Sequence, residues 1–532
     1  MQRALARLSD EIFDLLIVGG GATGAFTARD AAMRGLTVAL VEARDFAGAT
    51  SAHNSRLAHG GLRYLRGFEI GLVRESLKER AALLHIAPHL VRPLPFLLPL
   101  YGRGRAKLAA GLTLYDLLAL GGGLPRHRWI GRKAALARAP VLARDGFRGA
   151  FEYHDAQMYA PERIALECLI DAEAHGAAIA NYLAAGRLLL RDGKVEGCAV
   201  RDGMSGAVFD VRAKTVLVAA GPWSDLFLTE ALGRPAKHPL IRSKGIHLLV
   251  PPLTAGDALT MEAGDGHFFV LPWRGHTLLG TTDTPFAGDP DSVGVSAGDV
   301  AGLLATVNRY LPAANLTPED VETFYAGLRP LVADGSKDTY GVSRRAELVN
   351  HGKEEKLDGL FSALGGKWTT SRALAETAVD SLVAKLGVKA PRCATAKQRL
   401  PGGRFDTFDG LLRGMQKTYP GIPALTHLAH MFGMRLPQVL KGARVSELLP
   451  LGAGGDTLAQ IRFAVREEMA LTLEDVVMRR TTLGQFGRPD DAVLEQIAAM
   501  MAQLLGWDAD RKAREIASLD PLFTLQDETG GA

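Results

Sequence analysis

The sequence predicts an α/β fold: a parallel sheet wrapped by helices, interleaved with a mixed sheet and followed by an all-α C-terminal domain. Two observations predict it. Three short apolar strands run straight into glycines at widely separated points of the chain, "LLIVGGGATG", "VLVAAGPW" and "FSALGGKW". From about residue 405 the pattern changes to amphipathic helical spacing and stays so to about Leu519.

Phe13 to Val18 is short, apolar and rich in branched residues, as a buried parallel strand is. It ends in Gly19-Gly20-Gly21-Ala22-Thr23-Gly24, which fits GxGxxG. Ala25 to Arg34 has helical composition and Gly35 stops it; Leu36 to Val41 is a second strand, ending in Glu42. This order of strand, glycine turn, helix, strand and acid is that of a dinucleotide site. Bare backbone at Gly19, Gly21, Ala22, Thr23 and Gly24 meets a pyrophosphate at a helix N-terminus, and the acid takes the ribose hydroxyls. The motif alone does not separate NAD from FAD. The second junction, Thr215 to Ala219 running into Gly221, and the third, Leu360 to Leu364 running into Gly365-Gly366 before a helix near Thr369, favour one long cofactor lying across a discontinuous sheet.

The stretch "NSRLAHGGLRYL", residues 54–65, combines bare backbone at Gly60-Gly61 with Arg56, Arg63, His59 and Tyr64. Adjacent glycines admit a flat group against the main chain, and arginines beside them point to an anion.

Bulk composition narrows the class. The chain has 532 residues, enough for two or three domains, and a net charge of +4 that is too small to suggest a nucleic-acid partner. Cys168, Cys198 and Cys393 have no metal-type or redox spacing, so no metal site is expected and a reduced, cytoplasmic setting is. No signal-peptide pattern and no long apolar span is visible. A boundary falls in the Pro-, Gly- and base-rich stretch 388–405. The expected division is 1–390 and 391–532. Within the first, 10–75, 160–240 and 340–385 mainly form the cofactor part, and 75–160 and 240–340 the substrate part.

Taken together, "DLLIVGGGATGAFTARDAAMRGL", "LAHGGLRYL", "VLVAAGPWSD", "LPWRGHTLLGTTDTPFAGDP", "YAGLRPL", "LGGKWTT" and "IRFAVREEMALTLEDVVMRRT" resemble the FAD-dependent (aerobic-type) glycerol-3-phosphate dehydrogenases over nearly the whole length. The resemblance implies a Rossmann-like FAD-binding domain interleaved with a mixed-sheet substrate domain, plus an all-α C-terminal domain. It implies FAD held by Glu42 at the ribose, Thr50 and Ser51 at the pyrophosphate, the His59-Gly60-Gly61 turn under the flavin, and Gly221, Gly366, Lys367 and Thr369 at the later junctions. Arg63, Arg329, Arg344 and Lys367 would form a cationic well for the substrate phosphate, and His247, Arg329 and Tyr64 would be the catalytic group, His247 as base and Tyr64 positioning the substrate. Lys367 could instead stabilise negative charge on the flavin. Departures from the family pattern at Asn54, Arg56, Ala58, Trp368 and Ser371 bear on the exact substrate. An oxidase of an amino acid or 2-hydroxy acid, a dehydrogenase of another polyol phosphate and a flavin-binding regulatory module are the alternatives.

No second redox centre is evident, so electrons should leave to an outside acceptor, quinone by resemblance or dioxygen. Residues 92–138 mix leucine-rich blocks with many bases and a single acid, Asp116. That composition suits peripheral contact with the cytoplasmic face of an anionic membrane, or else a core helix Leu108 to Leu120 between basic loops. A homodimer is possible.

Overall fold

The structure is a computed structural model. It describes residues 1–264, 266–332 and 346–527. Two sheets organise the first three-quarters of the chain. The first has eight strands. Its centre is parallel: Ile12–Val18 lies between Val208–Val218 and Val38–Val41, with Leu360–Gly365 beyond the former and Ala178–Ala180 beyond the latter. These strands are short apolar runs because helices cover both faces and leave no wet side for polar residues. Antiparallel additions at Ala346–Asn350 and in the hairpin Leu183–Asp202 complete the sheet.

The second sheet has ten strands and mixed direction. Long antiparallel pairs dominate it: Val91–Tyr101 with Phe147–Met158, and Leu240–Val250 with Thr323–Val332. Leu57–Ala58, just before the His59-Gly60-Gly61 turn, pairs with Gln157 and Ala156 and so joins this sheet. The chain enters and leaves each sheet several times, which places the His-Gly-Gly turn between them.

The three junctions read from the sequence lie at the same end of adjacent parallel strands. Helix Ala22–Met33 follows the first, the 3₁₀ turn Gly221–Trp223 the second, and the turn Trp368–Thr370 with helix Ser371–Leu386 the third. Two strands of this sheet differ in length from the expectation: Val38 rather than Leu36 begins the one before Glu42, and Val208 rather than Thr215 begins the one before Gly221, because hairpin pairing to Gly197–Arg201 extends the latter beyond the parallel core.

Beyond residue 400 the chain is helical: Phe408–Thr418, Leu425–Phe432, Leu458–Glu467, Asp491–Leu505 and Ala509–Ala517 are its longer helices. Its first half is fused to the parallel sheet. Leu428, Phe432, Leu436 and Ala459 are buried in the same apolar core as Leu15, Phe26, Ile164 and Phe361. Its second half has a core of its own around Ile461, Leu473, Val477, Leu494 and Ile497.

Gly24 sets the spacing of the first helix on the first strand. A Cβ there would lie 1.9 Å from the carbonyl oxygen of Gly19, a backbone atom that cannot swing aside. Gly24→Ala is therefore expected to destabilise the protein by about 1–3 kcal/mol. Gly414→Ala, in an exposed helix with open space at the Cβ, is expected to be neutral or to stabilise by up to about 1 kcal/mol. Denaturant midpoints of the two variants against wild type check both signs.

Candidate functional site

A cavity of about 2040 Å³ opens between the two sheets. It exceeds the roughly 300–1000 Å³ of an ordinary small-molecule pocket, so it has room for a long cofactor and a substrate together. One end is the glycine turn. Gly19 has φ +111°, a conformation that favours glycine, and a Cβ at Gly21 would meet nothing closer than the Ser51 hydroxyl at 3.1 Å. Helix Ala22–Met33 starts at Gly21 without a side-chain cap, which directs its first turn of amides toward the cavity. The Ser51 hydroxyl accepts from the Ala22 amide at 2.9 Å. Glu42 is fixed by the amides of Gly20 and Arg44, at 2.6 and 2.9 Å, and burial pushes its carboxyl up. Thr50 donates to the carbonyl of Leu328, so the loop from Glu42 to Ser51 ties the parallel sheet to the mixed one. Thr23, Gly221, Gly366 and Thr369 also line the cavity, with Gly221 and Gly366 at φ +54° and +91°.

This end fits a dinucleotide on its own chemistry: bare backbone, a helix N-terminus and an anchored acid that can accept from ribose hydroxyls. Gly24 does not line the cavity; its role is the helix packing described above. Nor does Gly60. Its amide donates to Asp155 at 2.9 Å, and a Cβ there would meet the Tyr115 hydroxyl and Leu77 within 2.3 Å. Gly60 lets the turn sink into the core, and its neighbours His59 and Gly61 face the cavity.

Asp155 is the anchor of that turn. Besides the Gly60 amide it accepts from Tyr115 at 2.9 Å and from Arg80 at 2.6 Å, all buried. The sequence offers no motif that marks Asp155, Tyr115 and Arg80 as one group, since they come from a strand and two different helices.

The cavity lining also carries a group of cations. The Arg63 guanidinium stacks on the Tyr64 ring at 4.7 Å and donates to its hydroxyl, and the Lys367 ammonium lies 4.6 Å from the same ring centre. Lys367 donates to Ser76 at 2.5 Å, and burial lowers its pKa to about 8. Arg329 is braced by Ser243, Thr281 and the carbonyl of Thr282, at 3.1, 2.8 and 3.0 Å, and lies over Gly245, where a side chain would collide with it. Thr281 and Thr282 belong to the "GTTD" segment. Arg344 lies outside the described residues.

Two histidines beside these cations are held neutral, first by burial and then by the cations. His267 is held near pH 3 by burial and then by Arg63, Arg329 and Arg66. His59 is held near 3 by burial and then by Lys367 and Arg63. Both line the cavity and are neutral at pH 7. His267 was not anticipated; "DGHFF" carries no recognisable signal. His247, expected as the base, is not among the residues that line the cavity. It lies behind the cavity wall, stacked on Tyr325 at 5.0 Å, with Nε2 2.8 Å from the hydroxyl of Ser55, which does line the cavity. Its position on an inner strand face, covered by the Asn54–Ser55 segment, keeps it from the cavity.

A Rossmann-type turn and a cavity between two sheets lined by several cations are the frame of a dinucleotide-dependent oxidoreductase, and the family match makes it a flavin-dependent one. A family model described as FAD dependent oxidoreductase matches residues 14–381, and one described as the C-terminal domain of alpha-glycerophosphate oxidase matches 393–512. A glycerol-3-phosphate dehydrogenase of Synechocystis sp. is 35% identical over 97% of each chain, and one of Mycobacterium leprae is 37% identical over 97% of this chain and 89% of its own. The crystal structure of the glycerol-3-phosphate dehydrogenase from Bacillus halodurans complexed with FAD superposes with a TM-score of 0.79 at 30% identity, covering 98% of both chains. The chain belongs to the FAD-dependent glycerol-3-phosphate dehydrogenase family, and its cofactor is FAD.

Burial also links the histidines to stability. His53 and His430 are lowered to about 4, and His59 and His267 to about 3. The unfolded chain protonates these groups near pH 6.5 and the folded chain does not until far lower. Unfolding therefore takes up protons, and stability is expected to fall as pH drops from about 7 toward 4. Urea midpoints of the apoprotein across that range check this.

Proposed function

We propose that the protein oxidises sn-glycerol 3-phosphate, or a close polyol phosphate, to dihydroxyacetone phosphate and passes the electrons to quinone. The observation that carries the reading is that Arg63, Lys367 and Arg329, whose charges meet at His59 and His267, line the same cavity as the dinucleotide turn. A carboxylate substrate would not call for so many cations, whereas a phosphate dianion suits arginine forks and an ammonium.

FAD, when bound, supplies N5 as acceptor of the hydride from the secondary alcohol carbon. Arg63 and Arg329 bind and orient the phosphate, braced by Tyr64 and by Thr281 with Ser243. Lys367 adds charge near the turn, where it serves either phosphate or flavin. The hydroxyl proton goes to an imidazole. His267 sits among the phosphate cations Arg63 and Arg329, and His59 sits on the turn beside Lys367. We assign the base to His59, whose ring is neutral and whose backbone is fixed through Gly60 and Asp155. Burial is the first cause of the low proton affinity of His59, and Lys367 with Arg63 the next; a substrate dianion offsets the part due to the cations and so raises that affinity when substrate is bound.

Features near the cavity mouth support peripheral contact with a membrane. Helix Arg105–Leu118 is a surface helix, not a core helix, with Leu114 and Leu117 exposed and Leu120 just after it. Phe68, 84% exposed, stands on the loop that carries Arg63. Arg103, Arg105 and Lys107 flank the helix start. Among the described residues no helix is long and apolar enough to cross a membrane.

Anaerobic mixing with glycerol 3-phosphate, other polyol phosphates, glycerol, D-amino acids and hydroxy acids tests the reading: a polyol phosphate should bleach the flavin, and bleaching only by an amino or hydroxy acid would replace it. Arg329→Ala should cost about 2–5 kcal/mol in kcat/KM for the phosphorylated substrate. In rapid mixing, His59→Gln should slow bleaching about 10²–10⁴-fold with FAD retained, while His247→Gln stays close to wild type. Vesicle sedimentation should show binding to anionic but not neutral vesicles, weakened by Phe68→Ser with Leu117→Ser.

A further inference from the structure

The C-terminal domain reaches the cofactor cavity through one buried carboxylate. Asp45 lies in the loop between the ribose acid Glu42 and the pyrophosphate residue Ser51, and it is 1% exposed. Its oxygens accept from Arg479 Nε at 2.6 Å and from both terminal nitrogens of Arg480, at 2.8 and 2.7 Å. Asn181 adds a weaker bond at 3.2 Å. Both arginines come from the helical segment Asp475–Arg480 of the C-terminal domain, more than four hundred residues away.

The arginines are themselves held. Arg479 donates to Glu474 at 2.7 Å and to Asp475 at 2.9 Å. Arg480 donates to the carbonyl of Glu468 at 3.0 Å, and the Glu468 side chain is clamped by Arg163 at 2.5 and 2.6 Å and by Arg435 at 2.9 Å. Asp475 in turn accepts from Tyr182 at 2.5 Å, close to the end of the parallel sheet. The forks therefore present a rigid, preformed seat to Asp45.

The loop they seat has strained backbone, and Asp45 is its buried charged anchor. Ala47 has φ +56°, a left-handed conformation costly for a residue with a side chain. On the cavity side the loop is held by the Ala47 amide to the Gly20 carbonyl at 3.1 Å, by Ser51 to Ala22 and by Thr50 to Leu328. On the far side Gly48 has the Arg479 side chain 3.9 Å from the place of a Cβ.

We propose that Arg479 and Arg480 are positioning residues for FAD: through Asp45 the C-terminal domain holds the Glu42–Ser51 loop in its cofactor-binding shape. The domain is thus part of the FAD site, although it contributes no side chain to the ribose or the pyrophosphate. This rests on the FAD assignment above. A domain that only docks for stability would not need to place two arginine forks on one loop carboxylate between two cofactor contacts.

Coupling of this kind is reciprocal: if the seat shapes the loop, the bound cofactor stabilises the seat. The test measures FAD affinity by titrating apoprotein and following flavin fluorescence, together with the melting temperature of the same apoprotein. Asp45→Asn keeps the shape and removes the charge. It is expected to weaken FAD by about 10- to 100-fold, the size of a lost hydrogen bond to a charged group. Its apoprotein is also expected to melt lower, because two buried arginines lose their counter-charge, so FAD affinity is read at a temperature where the apoprotein is still folded; Arg480→Lys should lose less affinity than Asp45→Asn. Unchanged FAD affinity with a lowered apoprotein melting temperature would overturn the proposal in favour of docking alone. A wild-type chain that binds no FAD would overturn the cofactor assignment with it. Should Asp45→Asn not fold, hydrogen exchange of the wild-type protein decides. FAD is expected to protect amides of residues 471–482 together with those of 42–51, and protection confined to 42–51 overturns the proposal.

Discussion

The close approach of helix Ala22–Met33 to strand Ile12–Val18 is the constraint from which the site follows. Only a residue without a side chain at position 24 allows it, because the Gly19 carbonyl occupies the place of a Cβ. The approach fixes where the helix begins, and so where its first amides aim. Those amides set the path of the cofactor, and the path sets which loops from the rest of the chain can reach it. Ser51, Gly221 and Thr369 meet along one cavity because their strands end level with that helix start.

Gathering cations is the opposite problem. Arg63, Lys367 and Arg329 repel one another and lose hydration as they approach, a cost the fold must offset locally. It does so by different means at each. Tyr64 lies between the guanidinium of Arg63 and the ammonium of Lys367, giving each a ring face. Arg329 is surrounded by hydroxyls and a carbonyl. Asp155 and Arg80 neutralise each other beneath the turn, so the carboxylate steadies the backbone without cancelling the charge above it. The well stays positive; burial first, and then the neighbouring cations, keep His59 and His267 neutral within it.

Much of this was legible in the sequence, for definable reasons. The glycine turn, Glu42 and the later junctions were readable because each couples a local strand-to-helix pattern to chemistry within a few residues. Arg63, Lys367 and Arg329 stood beside glycines or in motif segments and could be picked out singly. What was less legible depends on which way a residue faces: His247 lies on a strand, where a shift of one residue reverses the face, and Gly60 lies in a turn that sinks into the core. His267, Asp155 and the seat around Asp45 were invisible because their partners come from elements far apart in sequence, with no periodicity to join them. The exposed face of helix Arg105–Leu118 has the composition expected of a membrane contact, but composition alone did not distinguish it from a core helix.

The interleaving of the two sheets also governs how the protein must be made. Strand Ile12–Val18 is synthesised first, yet its parallel neighbour Val208–Val218 follows about two hundred residues later and the next strand, Leu360–Gly365, later still. Contacts this distant in sequence are slow to form, and the unpaired edges wait exposed in the meantime. The last pieces to emerge include Lys367 and the pair Arg479 and Arg480. A nascent chain therefore carries its nucleotide fingerprint from the outset but has no finished cavity until synthesis is almost complete. Maturation with FAD is an event of the whole polypeptide, and a truncated product would expose apolar strands without gaining a cofactor to stabilise them.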